Sequence, residues 1–216
     1  IVTQSSGASL IEVPTCNWGH DLKSFDDYLE NNTRVIFIAN PNNPTGTYNS
    51  HEEVYSLLTN VPSSVLVVLD CAYFEYVTKE DYVKPIDLLN EFDNLLITKS
   101  FSKIHGLASI RVGYGIASPS LIEVLNRIRQ PFNVNTLAQA MASVAINDNE
   151  HIRKSVELNS KEYEFLFNKL SELGLECIPS VGNFITFKGD FIGKEMFNSL
   201  MQKGIIVRSV DLYDMK

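Results

Sequence analysis

Four apolar runs punctuate the first half of the chain: RVIFIAN at 34–40, SVLVVLD at 64–70, NLLIT at 94–98 and RVGYGIA at 111–117. Runs of this length, bounded by turn residues, predict strands buried on both faces. Helical spacing fills the gaps. Residues 21–30 carry Leu22, Phe25 and Leu29 on one helical face. Ser50, with Glu53 three residues on, reads as a capping box opening a helix over 51–60. Strands alternating with helices predict an α/β fold with a mainly parallel sheet, whose ligands gather beyond the carboxyl ends of the strands. The loop PNNPTG at 41–46 holds two prolines and a glycine and excludes regular structure there.

The second half reads differently. Helices are predicted over 119–130 and 134–147, separated by PFN. A long amphipathic helix follows over 150–173, with Ile152, Val156, Tyr163, Leu166, Phe167 and Leu170 near one face. Gly174 ends it as a C′ residue would. Strands over 175–179 and 183–188, a helix over 193–202 and a strand over 204–208 complete a β-β-α-β tail. The expected division is a large domain over 1–148, then a linking helix and part of a smaller α+β domain over 149–216.

Composition narrows the function classes. The 216 residues are 44% hydrophobic and 20% charged, with net charge −8 and a pI near 5.0. That balance argues against nucleic acid or an anionic membrane as partner. No apolar run approaches the roughly 20 residues of a membrane span. Cys16, Cys71 and Cys177 are scattered and form no CxxC pair, which fits a reduced, cytoplasmic setting. His20, His51, His105 and His151 show no metal-ligand spacing. The chain opens at Ile1 inside sequence that already looks folded and stops at DLYDMK. It is therefore expected to be a piece of a longer protein, inactive and poorly stable alone because an apolar sheet edge is left open.

The strand-end rule then sorts the polar residues. Residues 40–43 follow the first strand, Asp70 ends the second and residues 100–103 follow the third. If these strands are parallel neighbours, the three groups share one edge of the sheet. Singly, Asp70 is a turn cap or a functional acid, Asn43 a turn residue, Lys103 a surface lysine and Arg111 half of an ion pair. Together and in order, NPNNPTG at 40–46, LDCAYFEY at 69–76 and SFSKIHGLASIRVGYG at 100–115 resemble the fold-type I aminotransferases that use pyridoxal phosphate. The resemblance runs through essentially the whole chain. NPNNPTGT, the serine-x-serine-lysine before GLASIRVGYGIAS, and RQPFNVN lean towards the histidinol-phosphate aminotransferase subfamily.

The resemblance implies a three-layer large domain and a set of roles. Lys103 would bond the cofactor aldehyde through its amine and serve as general base and acid. Asp70 would pair with the ring nitrogen and keep it protonated. Tyr73 and Asn43 would hydrogen-bond the ring's 3′-oxygen, and Ser100, Ser102 and Arg111 would bind the cofactor phosphate. Arg208 would contact a phosphate of the substrate. Tyr114 and Asn183 read as structural. Cys71 stands where the family usually shows glutamate, and a small buried residue is expected there. The implied reaction converts L-histidinol phosphate and 2-oxoglutarate to imidazole-acetol phosphate and L-glutamate, a step of histidine biosynthesis, in a homodimer. Other readings of the same fold are an aromatic aminotransferase, a phosphothreonine decarboxylase, or a non-catalytic module that binds pyridoxal phosphate. The arginine that grips the substrate α-carboxylate in the family has no counterpart before Lys216.

Overall fold

Residues 2–213 are described by a computed structural model. A short helix α1 (Val2–Ser5) precedes an antiparallel hairpin of β1 (Thr15–Cys16) and β2 (Gly19–His20). Asn17 and Trp18 turn this hairpin at φ 50° and 67°. Leu22–Tyr28 then forms 3₁₀ turns in place of the α-helix expected over 21–30. The Leu22–Phe25 step of three suits either helix, and Asp21 gives no side-chain cap to start an α-helix. Leu22 and Phe25 are buried all the same.

The main sheet follows. Its strands are β3 (Val35–Ala39), β4 (Leu66–Asp70), β5 (Leu95–Ser100) and β6 (Gly113–Ala117), in that spatial order. Between β3 and β4 runs α2 (His51–Asn60), opened by the full capping box of Ser50 and Glu53. The short α3 (Pro85–Leu88) precedes β5. β3, β4 and β5 are parallel neighbours, whereas β6 runs antiparallel to β5. Ala39 pairs with Asp70, and Asp70 with Thr98, so the carboxyl ends of three strands lie level. β6 begins at Gly113, two residues later than expected, because Arg111 is left-handed at φ 56° and closes a 3₁₀ turn first.

The core joins Ile36 and Ile38, Val67 and Leu69, and Leu95 and Ile97 to Val54, Leu57 and Leu58 of α2. β4 is buried on both faces, as Val67, Val68 and Leu69 show. The edge strand β3 departs from that expectation: Ile36 and Ile38 are buried, but Phe37 is 66% exposed.

The second half contains α4 (Pro119–Ile128), α5 (Thr136–Ala145), α6 (Asn149–Glu172), the antiparallel pair β7 (Glu176–Ile178) and β8 (Thr186–Lys188), and α7 (Gly193–Met201). Asn135 and Asp148 cap α5 and α6 with their side chains. Gly174 ends α6 at φ 78°. The apolar stripe of α6 is only partly covered, and none of its residues is fully buried. The strand expected over 204–208 does not form. That segment pairs with no strand among the described residues, and Ile206 is 83% exposed. Branched residues favour a strand, but only a ladder partner makes one. No helix of the described residues is long and apolar enough to cross a membrane.

Residues 180–186 bring the second half back onto the loop after β3. Val181 donates its N–H to the Gly46 carbonyl at 2.9 Å, and the Thr186 hydroxyl donates to the Pro44 carbonyl. Gly46 has φ 75°, and a Cβ there would lie 1.9 Å from Ser180 Oγ. Both the turn and the close approach therefore require glycine.

Candidate active site

The loop after β3 is fixed by a buried asparagine. Asn40 is fully buried, and its amide holds Asn49 twice: Nδ2 donates to the Asn49 carbonyl at 3.0 Å and Oδ1 accepts the Asn49 N–H at 2.9 Å. Its main chain is also satisfied, with the N–H donating to the Asp70 carbonyl and the carbonyl accepting from Tyr82 Oη. Such full pairing is what a buried amide demands. Asn42 closes the tip, donating Nδ2 to Thr45 Oγ1 at 2.9 Å while its carbonyl accepts from Gly46 N–H. The exposed Asn43 is thereby presented to the next loop.

There it meets Tyr73. Asn43 Nδ2 donates to Tyr73 Oη at 2.7 Å. The Tyr73 ring is 6% exposed, with Phe184 edge-on at 5.2 Å between ring centroids. Lys103 Nζ stands 5.0 Å from the centre of the same ring, within cation–π range. Three residues from three loops thus converge on one phenol.

Asp70 is exposed at the end of β4, and its Oδ1 accepts the Ala72 N–H at 3.0 Å. It caps a turn and still faces solvent. Ser100 ends β5, and its Oγ accepts the Ser102 N–H at 3.0 Å, which tightens the turn into Lys103. Arg111 holds left-handed backbone, a conformation that costs a non-glycine residue about 1–2 kcal/mol. Its Nη1 donates to the Ala108 carbonyl at 2.6 Å, and it joins no ion pair among the described residues. Asn135 anchors the same turn, donating Nδ2 to the Ile110 carbonyl at 3.2 Å. Arg208 lines a cavity of about 580 Å³ together with Asn43 and Phe184, and its Nη2 donates to Tyr213 Oη at 2.7 Å. It therefore lines the same cavity as Asn43, and its side-chain interactions are with Tyr213.

The neighbours behave as their chemistry dictates. Cys71 is fully buried, and burial pushes its thiol up to about 12, so it fills space as a small apolar group. Tyr114 packs against Phe101 at 5.6 Å. Asn183 lies beside the Tyr76 phenol. Motif reasoning missed Phe184, Thr186 and an ion pair between Glu75 and Lys99, all of which are tertiary contacts between distant segments.

Two histidines give the fold a pH dependence. Burial holds His20 and His105 below the ordinary imidazole value. His20 Nε2 and His105 Nδ1 are buried without a hydrogen-bond partner. The unfolded chain takes up these protons near pH 6.5, whereas the fold resists them. The unfolded state thus binds more protons as pH drops below about 6.5, and stability falls through that window towards the lowered folded values. Thermal melts should be level between about pH 7 and 8 and drop below about 6.5. In a His20→Gln/His105→Gln chain the decline from about pH 6.5 to 5.5 should be shallower.

Known proteins resemble this chain over most of its length. The sequence profile of the family "Aminotransferase class I and II" matches residues 2–213. The histidinol-phosphate aminotransferase of Caldicellulosiruptor saccharolyticus is 48% identical over 214 residues, covering 99% of this chain and 60% of that protein. The one from Geobacillus thermodenitrificans is 48% identical over 202 residues, covering 94% and 55%. Among solved structures, histidinol-phosphate aminotransferase from Sinorhizobium meliloti in complex with pyridoxal-5′-phosphate superposes with a TM-score of 0.88 at 26% identity, covering 95% of this chain and 57% of that one. L-threonine-O-3-phosphate decarboxylase from Porphyromonas gingivalis gives 0.67 at 26% identity, covering 83% and 55%. The chain spans about 60% of the length of the curated relatives it matches.

Proposed function

This chain belongs to the class I and II aminotransferase family, and from that premise we propose that it binds pyridoxal phosphate and serves transamination between L-histidinol phosphate and 2-oxoglutarate. The observation that carries the reading is the convergence on Tyr73, with Asn43 at 2.7 Å from its hydroxyl and Lys103 Nζ at 5.0 Å from its ring. The donor set suits this cofactor. An amine faces the aldehyde's chemistry, a carboxylate at the end of β4 matches a ring nitrogen, a phenol and an amide match a ring oxygen, and hydroxyls with a guanidinium match a phosphate.

When bound, the cofactor's protonated ring supplies an electron sink for the substrate carbon that loses its proton. The remaining work falls to the chain. Asp70 would pair with the ring nitrogen and keep it protonated. Tyr73 and Asn43 would orient the ring through its 3′-oxygen, Ser100, Ser102 and Arg111 would hold the phosphate, and Lys103 would serve as general base and acid through its amine. Arg208, which lines the same cavity as Asn43, would take the substrate's own phosphate.

Further parts of the proposal rest on other observations. The division into a large domain over 1–148 and a smaller one from 149 is supported by α6, which separates the main sheet from β7 and β8. A homodimer is supported by apolar surface on and beside α4 and α5, where Ile128 is 75%, Phe132 98% and Val144 73% exposed. A cytoplasmic setting is supported by three cysteines that remain free.

An amino-donor comparison in the full-length protein tests the substrate. Histidinol phosphate should exceed phenylalanine in kcat/KM by about 10–100-fold, the scale of one charge-assisted contact at Arg208. A preference for phenylalanine would move the reading to an aromatic aminotransferase. Release of carbon dioxide from phosphothreonine would move it to decarboxylation.

A further inference from the structure

Beyond the ends of the parallel ladder, one ion pair joins the two halves of the site. The β4–β5 register stops at Asp70 and Thr98, and the Cys71 N–H to Thr98 carbonyl bond at 2.8 Å is the final rung. Past that rung the two chains part. One enters the Tyr73 turn, and the other leads through Ser100 to Lys103. Lys99 and Glu75 face each other across this gap, with Nζ 2.7 Å from Oε1. Both side chains are only 14% exposed, and the ammonium sits 4.0 Å over the Phe74 ring. The other five ion pairs among the described residues have both partners at least 44% exposed.

The location matters more than the pairing itself. Lys99 adjoins Ser100 in sequence, and Glu75 lies two residues past Tyr73. A shielded pair of this kind is sensitive to loss of either partner, because the survivor is left as an uncompensated charge away from water. It is also geometrically demanding, so it fixes a distance in a way that apolar contact does not.

We propose that Glu75 and Lys99 are positioning residues that set the spacing between the Tyr73–Asn43 side and the Ser100–Lys103 side of the cofactor site. The inference rests on the cofactor reading above and extends it to residues that touch neither cofactor nor substrate. The salt bridge replaces the backbone ladder at the point where the strands diverge. Loss of either charge lets the two loops move independently, so the phosphate grip and the ring grip no longer match one ligand.

The test compares Lys99→Met, Lys99→Arg and Glu75→Gln with the unaltered chain in three measurements. These are pyridoxal phosphate affinity by absorbance titration, the pH midpoint of the bound cofactor's absorbance, and amide hydrogen exchange without cofactor. Lys99→Met and Glu75→Gln should weaken the cofactor about tenfold, the scale of removing a group that orients a ligand-holding residue, and should displace the absorbance midpoint. Exchange should quicken in peptides covering 71–77 and 99–107 and stay unchanged in β3. Lys99→Arg keeps the charge and should stay within about twofold of the unaltered chain. Should Lys99→Met fail to fold, Glu75→Gln, which keeps shape and an acceptor oxygen, reads the same quantities. Affinity and midpoint unchanged in a folded charge-removing variant would overturn the proposal. If the unaltered chain itself takes up no cofactor at Lys103, the cofactor reading fails separately. The exchange comparison then decides the joint alone: quickening in both peptides supports it, and equal exchange overturns it.

Discussion

Lys103→Ala is expected to abolish the covalent hold on the cofactor. With the unaltered chain, incubation with pyridoxal phosphate, borohydride reduction and digestion should yield about one adduct per chain, confined to the peptide that carries Lys103. The variant should yield none there. Alanine has no amine to bond an aldehyde, and the contacts proposed for Asn43, Tyr73, Ser100, Ser102 and Arg111 are non-covalent. Lys99 serves as an internal control four residues away. Its ammonium is paired with Glu75 at 2.7 Å and largely shielded, so labelling should not spread to it. In the full-length protein, turnover should fall by more than the roughly 10²–10⁴-fold that a lost general acid–base accounts for, because the proposed role of Lys103 is both anchor and proton carrier. Labelling scattered over surface lysines and unchanged in the variant would remove Lys103 from the site.

Why Lys103 could be singled out before any fold was in view, and Lys99 could not, follows from what kind of contact each makes. β3, β4 and β5 were legible because Val35–Ala39, Leu66–Asp70 and Leu95–Ser100 are short apolar runs closed by turn residues. Their parallel order levels their carboxyl ends, and that alone gathers Asn43, Asp70 and Ser100–Lys103 at one edge. The capping box at Ser50 was legible because it is local. The roles came from resemblance, since each of these residues has an ordinary structural use when taken singly, and Asp70 does cap a turn.

Failures of the sequence reading were of two physical kinds. A spacing of three residues at Leu22 and Phe25 serves an α-helix and 3₁₀ turns alike. The branched run at 204–208 has strand composition but no ladder partner among the described residues. Phe184 on Tyr73, Thr186 on Pro44 and Glu75 with Lys99 are contacts between segments far apart in the chain, which no local pattern encodes. The left-handed turn at Arg111 is likewise visible only once Asn135 is seen holding the Ile110 carbonyl.

Asp70 permits a cleaner separation of fold from chemistry than Lys103 does. Asp70→Asn should leave the thermal midpoint and the Lys103 adduct nearly unchanged while lowering turnover of the full-length protein about 10²–10³-fold, the usual cost of removing one electrostatic partner aimed at developing charge. Asparagine keeps an oxygen to accept the Ala72 N–H and nearly the same shape, and the site at the end of β4 is exposed, so packing has little to lose. Only the negative charge disappears, the charge that in the proposed role would retain a proton on the ring nitrogen. A neutral ring would be a weaker electron sink, so turnover should fall while binding persists. Asp70→Ala removes the turn bond as well and should add a stability loss of about 0.5–1.5 kcal/mol to the same kinetic defect. The pair therefore distinguishes two roles for one carboxylate. If asparagine preserves turnover and only alanine impairs it, Asp70 is a strand-end cap and the ring-nitrogen assignment falls. If both lose turnover alike and only alanine lowers the melting point, the carboxylate does both jobs, with one oxygen turned to the backbone and the charge kept for the cofactor.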